Sequence, residues 1–92
     1  MGKTVIVKYR AHLPEITKKE EERIEWEQDL YLDALLRRIA KQYPSFLGGE
    51  FSENEISLLT TLNGAFVPAS DMKETLLKDS DVVVLLPPVS GG

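Results

Sequence analysis

The sequence predicts an α+β fold, a mixed sheet of about four to five strands with one main helix packed across it. Three observations predict it. Leu32, Leu35, Leu36, Ile39 and Tyr43 fall at helical spacing and make one apolar face. Asn63-Gly64 sits between two apolar runs, a strong signal for a tight hairpin turn. Val82-Val83-Val84-Leu85-Leu86 has no polar face, as expected of a strand in the middle of a sheet with both sides covered.

Residues 4–9 alternate, with Val5, Val7 and Tyr9 on one side and Thr4, Ile6 and Lys8 on the other, which reads as a strand. Pro14 reads as a break in the chain after this strand. Lys18 to Arg23 is a charge cluster and reads as a solvated turn or strand end. Glu22 to Leu30 alternates again, with Ile24, Trp26, Gln28 and Leu30 on one face, so it pairs with the first strand as a hairpin. A single long helix from Lys18 to Tyr43 is the competing reading; Ile24 and Trp26, two apart, speak against it. The helix Leu32–Tyr43 carries Asp33 in its first turn and Lys41 near its end, both suited to the helix dipole, and Pro44 stops it.

Residues 45–55 read as a loop, including Gly48-Gly49, and Ile56 to Leu62 as a third strand. Ala65-Phe66-Val67 begins the return strand, which Pro68 keeps short. Asp71 to Lys78 is a short connection with about one helical turn. Lys78-Asp79-Ser80-Asp81 is a turn into the last strand. An N-terminal hairpin, a crossing helix and a central final strand make up the β-grasp plan. It occupies residues 1–86, and 87–92 form an extended tail.

Composition excludes several functions. The chain has 92 residues, enough for one domain, and a net charge of −4. An acidic chain without a basic stripe does not suit nucleic acid or an anionic membrane surface. There is no cysteine, so disulfides, thiolate metal sites and cysteine nucleophiles are excluded. The longest apolar run, Val82–Leu86, is too short to span a bilayer, and Met1-Gly2-Lys3 opens no signal-peptide pattern. A cytoplasmic protein is expected. His12 is the only histidine and reads as a loop or strand-end residue. Tyr9, Trp26 and Phe66 read as packing residues. No metal site and no set of nucleophile and base stands out, so an enzyme acting alone is not expected.

The tail is the most informative segment. Pro87 and Pro88 lack amide donors, so the sheet cannot continue through them, and they favour a stiff, extended exit. Val89 offers an apolar contact and Ser90 a small polar one. Gly91 and Gly92 present bare backbone that a narrow channel can close around. Fully extended, the six residues reach roughly 20 Å. The reactive group is then the terminal carboxylate of Gly92. A carboxylate is a poor electrophile, so it must first be activated, typically as an adenylate; sulfur attack on the adenylate leaves a thiocarboxylate.

Residues 79–92, Asp-Ser-Asp followed by the apolar strand and Pro-Pro-Val-Ser-Gly-Gly, resemble the C-terminus of the MoaD/ThiS ubiquitin-like sulfur carriers, most of all the small subunit of molybdopterin synthase. Leu62-Asn63-Gly64 resembles the family's turn, and Leu35-Leu36, Ile39 and Tyr43-Pro44 resemble its helix end. Tyr9-Arg10-Ala11-His12-Leu13 stands where the family closes its first strand. The likeness covers most of the chain. Ser80 stands in place of the family's turn glycine, Leu85 and Leu86 in place of aromatics, and Pro14 in place of a frequent arginine. Residues 16–28 and 45–55 are long for the family.

The resemblance implies a mechanism. A ubiquitin-activating-type adenylating enzyme (MoeB/ThiF-like) would use ATP to activate Gly92, and sulfur transfer would give the Gly92 thiocarboxylate. Gly91 would grant access. Pro87, Pro88, Val89 and Ser90 would guide the tail into the molybdopterin synthase large subunit (MoaE-like), in an assembly of two small and two large subunits. An apolar sheet patch with Phe66 and Leu86 would dock the partner. No cofactor is bound by the chain itself. Three alternatives stay open: sulfur carriage for another pathway (thiazole, tRNA thiolation, cysteine), a ubiquitin-like protein modifier, and an interaction module with an inert tail.

Overall fold

The computed structural model describes residues 2–11, 13–43 and 59–86. Its elements are β1 (Lys3–Tyr9), α1 (Leu13–Thr17), β2 (Glu21–Trp26), α2 (Leu32–Gln42), β3 (Leu59–Leu62), β4 (Ala65–Phe66), a 3₁₀ turn (Ala69–Glu74) and β5 (Val82–Leu86). The strands form one mixed sheet in the order β2-β1-β5-β3-β4. β1 and β5 are parallel; the other pairs are antiparallel.

β1 follows its alternation, with Val5, Val7 and Tyr9 buried. Its register with β2 sets Val5 opposite Ile24 and Lys3 opposite Trp26. The alternation in the sequence runs on to Leu30, but the strand stops at Trp26, because β1 starts at Lys3 and offers no partner further on. The chain turns away instead. Leu30 accepts a bond from the Leu77 N–H at 2.9 Å, and Tyr31 bridges to Leu76. The long-helix alternative is overturned: residues 21–26 are strand, and Lys18 has φ +65° in the bend before them.

Pro14 does not break the chain; it lies in the first turn of α1. First-turn amides have no intrahelical partner, so a residue without an N–H costs little there. α1 buries Leu13 and Thr17. α2 lies under the sheet and buries Leu32, Leu35, Leu36 and Ile39 of the face read from the sequence, with Ala40 in addition; Tyr43, the last residue of that face, lies past the helix and is half-buried. Its regular part ends at Gln42, though the Tyr43 N–H still bonds the Ile39 carbonyl at 2.9 Å. The proposed stop at Pro44, the loop 45–55 and the first residues of the strand begun at Ile56 lie outside the described residues.

Asn63 and Gly64 turn the chain between β3 and β4 with φ of +52° and +89°, the two positive values that suit the twist of a tight hairpin. The connection after Pro68 forms a 3₁₀ turn that buries Met72 and starts two residues before the position read from the sequence.

β5 is central, as its composition predicts. It is not covered on both faces. Val83 and Leu85 are fully buried against α2, whereas Val82, Val84 and Leu86 are half-buried on the opposite face. Among the described residues one helical layer covers one side of the sheet only.

The start of β5 is held by a clasp. Asn63 donates from Nδ2 to Asp81 Oδ1 at 2.9 Å and accepts the Val82 N–H on Oδ1 at 2.9 Å. The Lys78 N–H donates to Asp81 Oδ2 at 2.7 Å, and the Ile6 N–H to the Asp81 carbonyl at 2.9 Å. The Thr4 N–H donates to Asp79 Oδ1 at 2.8 Å, and the Ser80 N–H to the Thr4 carbonyl at 2.7 Å. Asp81 is only 8% exposed, and its carboxylate is satisfied by these donors.

Ser80, at φ +70°, occupies a left-handed position that disfavours any residue with a Cβ. Ser80→Gly is expected to stabilise the fold by about 0.5–1 kcal/mol, the relief of that strain less the extra freedom of an unfolded glycine. Urea unfolding of the two proteins measures it.

Candidate functional site

The site is built around the point where β5 ends. Leu85 is held from one side by the Arg10 N–H, which donates to its carbonyl at 3.1 Å. On the other side Leu86 pairs with Leu59 of β3. The last residues of β5 are therefore held between two fixed neighbours. The assigned tail residues Pro87, Pro88, Val89, Ser90, Gly91 and Gly92 lie outside the described residues, as does His12.

The open face of the sheet brings the two other assigned residues together. Cross-strand register sets Lys8, Val84, Thr61 and Phe66 in one row. The Leu86–Leu59 pair lies in the row beside it and Ile6–Val82 on the other side. Directly paired residues share a face, so Phe66 and Leu86 belong to the same surface. Phe66 is 61% exposed and Leu59 40%. Ile6, Leu59, Val82 and Val84 complete the patch and were not assigned to it from the sequence. Reading Val82–Leu86 as buried on both sides placed two of them in the core. The signal that finds them is the count of layers: one amphipathic helix cannot cover two faces.

Toward β2 the same face becomes charged, with Lys8 opposite Glu21 and Arg23 opposite Ile6. Apolar surface bordered by charge is the usual form of a docking site.

Beside the end of β5 lies a second, partly buried arrangement. Tyr9 opposes Leu85 in the sheet and points its ring toward α2. The hydroxyls of Tyr9 and Tyr43 both donate to Glu22 Oε2, at 2.8 and 3.1 Å. The two rings meet edge to face at 6.4 Å. Lys19 approaches Glu22 Oε1 at 3.8 Å. This ties the ends of β1 and α2 to the start of β2. Burial, and then the Glu22 carboxylate it bonds, push the Tyr9 hydroxyl well above the usual tyrosine range; the same causes raise Tyr43.

Among the described residues no group of three or more His, Asp or Glu is placed to hold a metal ion, and no helix is long and apolar enough to cross a membrane.

This sheet order, a single crossing helix and a central last strand define a ubiquitin-like β-grasp protein. The ThiS family model matches residues 7–92, so the chain belongs to the ThiS family of small ubiquitin-like carriers and modifiers. Among solved structures it is similar to small archaeal modifier protein 1 from Methanosarcina acetivorans, at 33% identity and TM-score 0.72, over 100% of this chain and 99% of that one. It is similar to a candidate molybdopterin converting factor subunit 1 from Pyrococcus furiosus, at 30% identity and TM-score 0.73, over 95% and 99%. The Haloferax volcanii protein HVO 2177 shares the fold at 24% identity and TM-score 0.82, over 99% and 88%. No curated protein matches significantly.

A raised tyrosine pKa gives stability that is full below the unfolded value of 10.0 and is lost as pH rises through the folded value. The wild type is therefore expected to lose stability progressively above pH 10.0. Tyr9→Phe removes that group, and its stability should fall less steeply over the same range. Urea midpoints across the alkaline range compare the two slopes.

Proposed function

We propose that this chain is a sulfur carrier serving as the small subunit of a cytoplasmic molybdopterin synthase, bearing sulfur as a thiocarboxylate on Gly92. The observation that carries the reading is a central strand clamped on both sides and followed directly by Pro-Pro-Val-Ser-Gly-Gly. A fixed strand with a stiff, narrow extension delivers a terminal carboxylate into a channel at low entropic cost. The likeness to the molybdopterin converting factor subunit supports the pathway.

In this reading a ubiquitin-activating-type enzyme forms an adenylate from Gly92 and ATP, with release of pyrophosphate. A sulfur donor displaces AMP and leaves the thiocarboxylate. The large subunit then takes the sulfur into the pterin precursor, and Gly92 returns as a carboxylate. Gly91 keeps the channel approach clear. Pro87, Pro88, Val89 and Ser90 line the tail's path, and Phe66 and Leu86 anchor the open face on the partner. Sulfur delivery to another product uses the same first two steps.

A second reading is favoured by the likeness to small archaeal modifier protein 1, namely that Gly92 is joined to lysines of other proteins. The chemistry separates them. With a cognate adenylating enzyme, ATP and a sulfur donor, the intact mass should rise by the replacement of one oxygen by sulfur, localised to Gly92. Adding the large subunit and precursor should return the original mass. Conjugates on lysine in the native host, with no sulfur transfer to the precursor, would favour the modifier.

Phe66→Asp should weaken binding to the adenylating enzyme by about tenfold or more, as expected when an aromatic anchor becomes a charge. Because Phe66 is exposed, the urea midpoint should barely move. Titration calorimetry against the enzyme, beside the unfolding curve, checks both.

A further inference from the structure

We propose that Asn63 is a deamidation site, and that its conversion to a carboxylate dismantles the clasp at the start of β5. Asparagine followed by glycine is the pair most prone to this reaction, because no side chain blocks the attacking nitrogen. Asn63 and Gly64 are both exposed, and no atom lies within 4 Å of where a Cβ on Gly64 would be. Water and hydroxide reach the turn freely.

The atoms balance with water as the only co-reactant. Hydroxide removes the Gly64 amide proton, and the nitrogen attacks Asn63 Cγ. The Cγ–Nδ2 bond breaks and the nitrogen leaves as ammonia after taking a proton. Water then opens the succinimide ring to aspartate or isoaspartate. Nothing is oxidised or reduced.

The native bonds restrain the first step. Asn63 is held at both ends of its amide, by Asp81 through Nδ2 and by Val82 through Oδ1, so Cγ is not free to turn toward the Gly64 nitrogen. The folded chain therefore reacts more slowly than the unfolded one. After reaction the donor is gone. An acceptor-only carboxylate stands where Nδ2 had been, 2.9 Å from Asp81 Oδ1, and two carboxylates cannot bond without a proton between them. Asp81 cannot retreat without giving up the Lys78 N–H, and its own carbonyl holds β1 through Ile6. Damage at an exposed turn thus reaches the central strand pair.

The test has two parts. The full chain is aged at mildly alkaline pH with and without urea, then mapped by peptide mass and isoaspartate detection. Conversion at Asn63 should lead that at Asn54, the other asparagine, which precedes Glu55, and urea should speed it. No conversion at Asn63, or a rate that urea leaves unchanged, overturns the proposal. In the second part, N63D mimics the product and should lower Tm by roughly 5–10 °C. N63D/D81N exchanges the two groups, so that the new amide at position 81 donates to the new carboxylate at position 63 while still accepting the Lys78 N–H. It should recover most of the loss. An N63D protein as stable as the parent, or a double variant no better than N63D, overturns the clasp argument. If N63D does not fold, a folded double variant supports it and an unfolded one overturns it.

Discussion

The fold depends on the parallel pairing of β1 with β5, the two strands furthest apart in the chain. Closing so long a loop costs more entropy than closing a hairpin. Parallel pairs also gain slightly less per residue than antiparallel ones. Side-chain and backbone groups of the intervening turns supply what the ladder lacks. Asp79 reaches Thr4, the Asp81 carbonyl reaches Ile6, and Asn63 ties the β3–β4 turn to both Asp81 and Val82. Three strands thereby share one set of bonds at one end of the sheet. At the other end, Arg10 and Leu59 flank Leu85 and Leu86, and the Tyr9–Glu22–Tyr43 arrangement holds the helix end beneath them.

The exposed apolar face follows from that economy of layers. One helix supplies one apolar stripe, which fills the space under Val5, Val7, Val83 and Leu85. The strand alternation then leaves Ile6, Val82, Val84 and Leu86 on the other side, joined by Leu59 and Phe66. The exposed apolar face is what remains when a central, wholly apolar strand is covered once. The residues that hold β5 in place and those that face outward alternate along the same strand, so the end of β5 and the apolar face keep a fixed relation.

Much of this was legible in the residues. The period of Leu32–Tyr43 marked the helix, Asn63-Gly64 marked the turn, and the composition of Val82–Leu86 marked the centre of the sheet. Each is a local signal tied to a single physical cause. The misreadings came where the outcome depends on a distant partner. Alternation up to Leu30 looked like strand, but β1 is too short to pair beyond Trp26. Pro14 looked like a break because its position in a first turn depends on where α1 begins. The exposure of Val82 and Val84 depends on how many layers the chain can build, which no window of residues contains. The chemistry expected of the tail rests on its side-chain sequence and the resemblance it carries, since residues 87–92 lie outside the described residues.

Because β1 runs parallel to β5, the chain enters the sheet at the end opposite to where it leaves. Lys3 stands about 20 Å along the strand direction from Tyr9, the level at which the tail departs. Anything attached ahead of Lys3, such as a tag, a fluorophore or a fused domain, hangs from the clasp end of the sheet and leaves the exit end clear. Under the proposed function, a label joined after Gly92 would instead occupy the carboxylate that has to be activated. Strand direction alone sets the start of β1 and the end of β5 at opposite ends of the sheet.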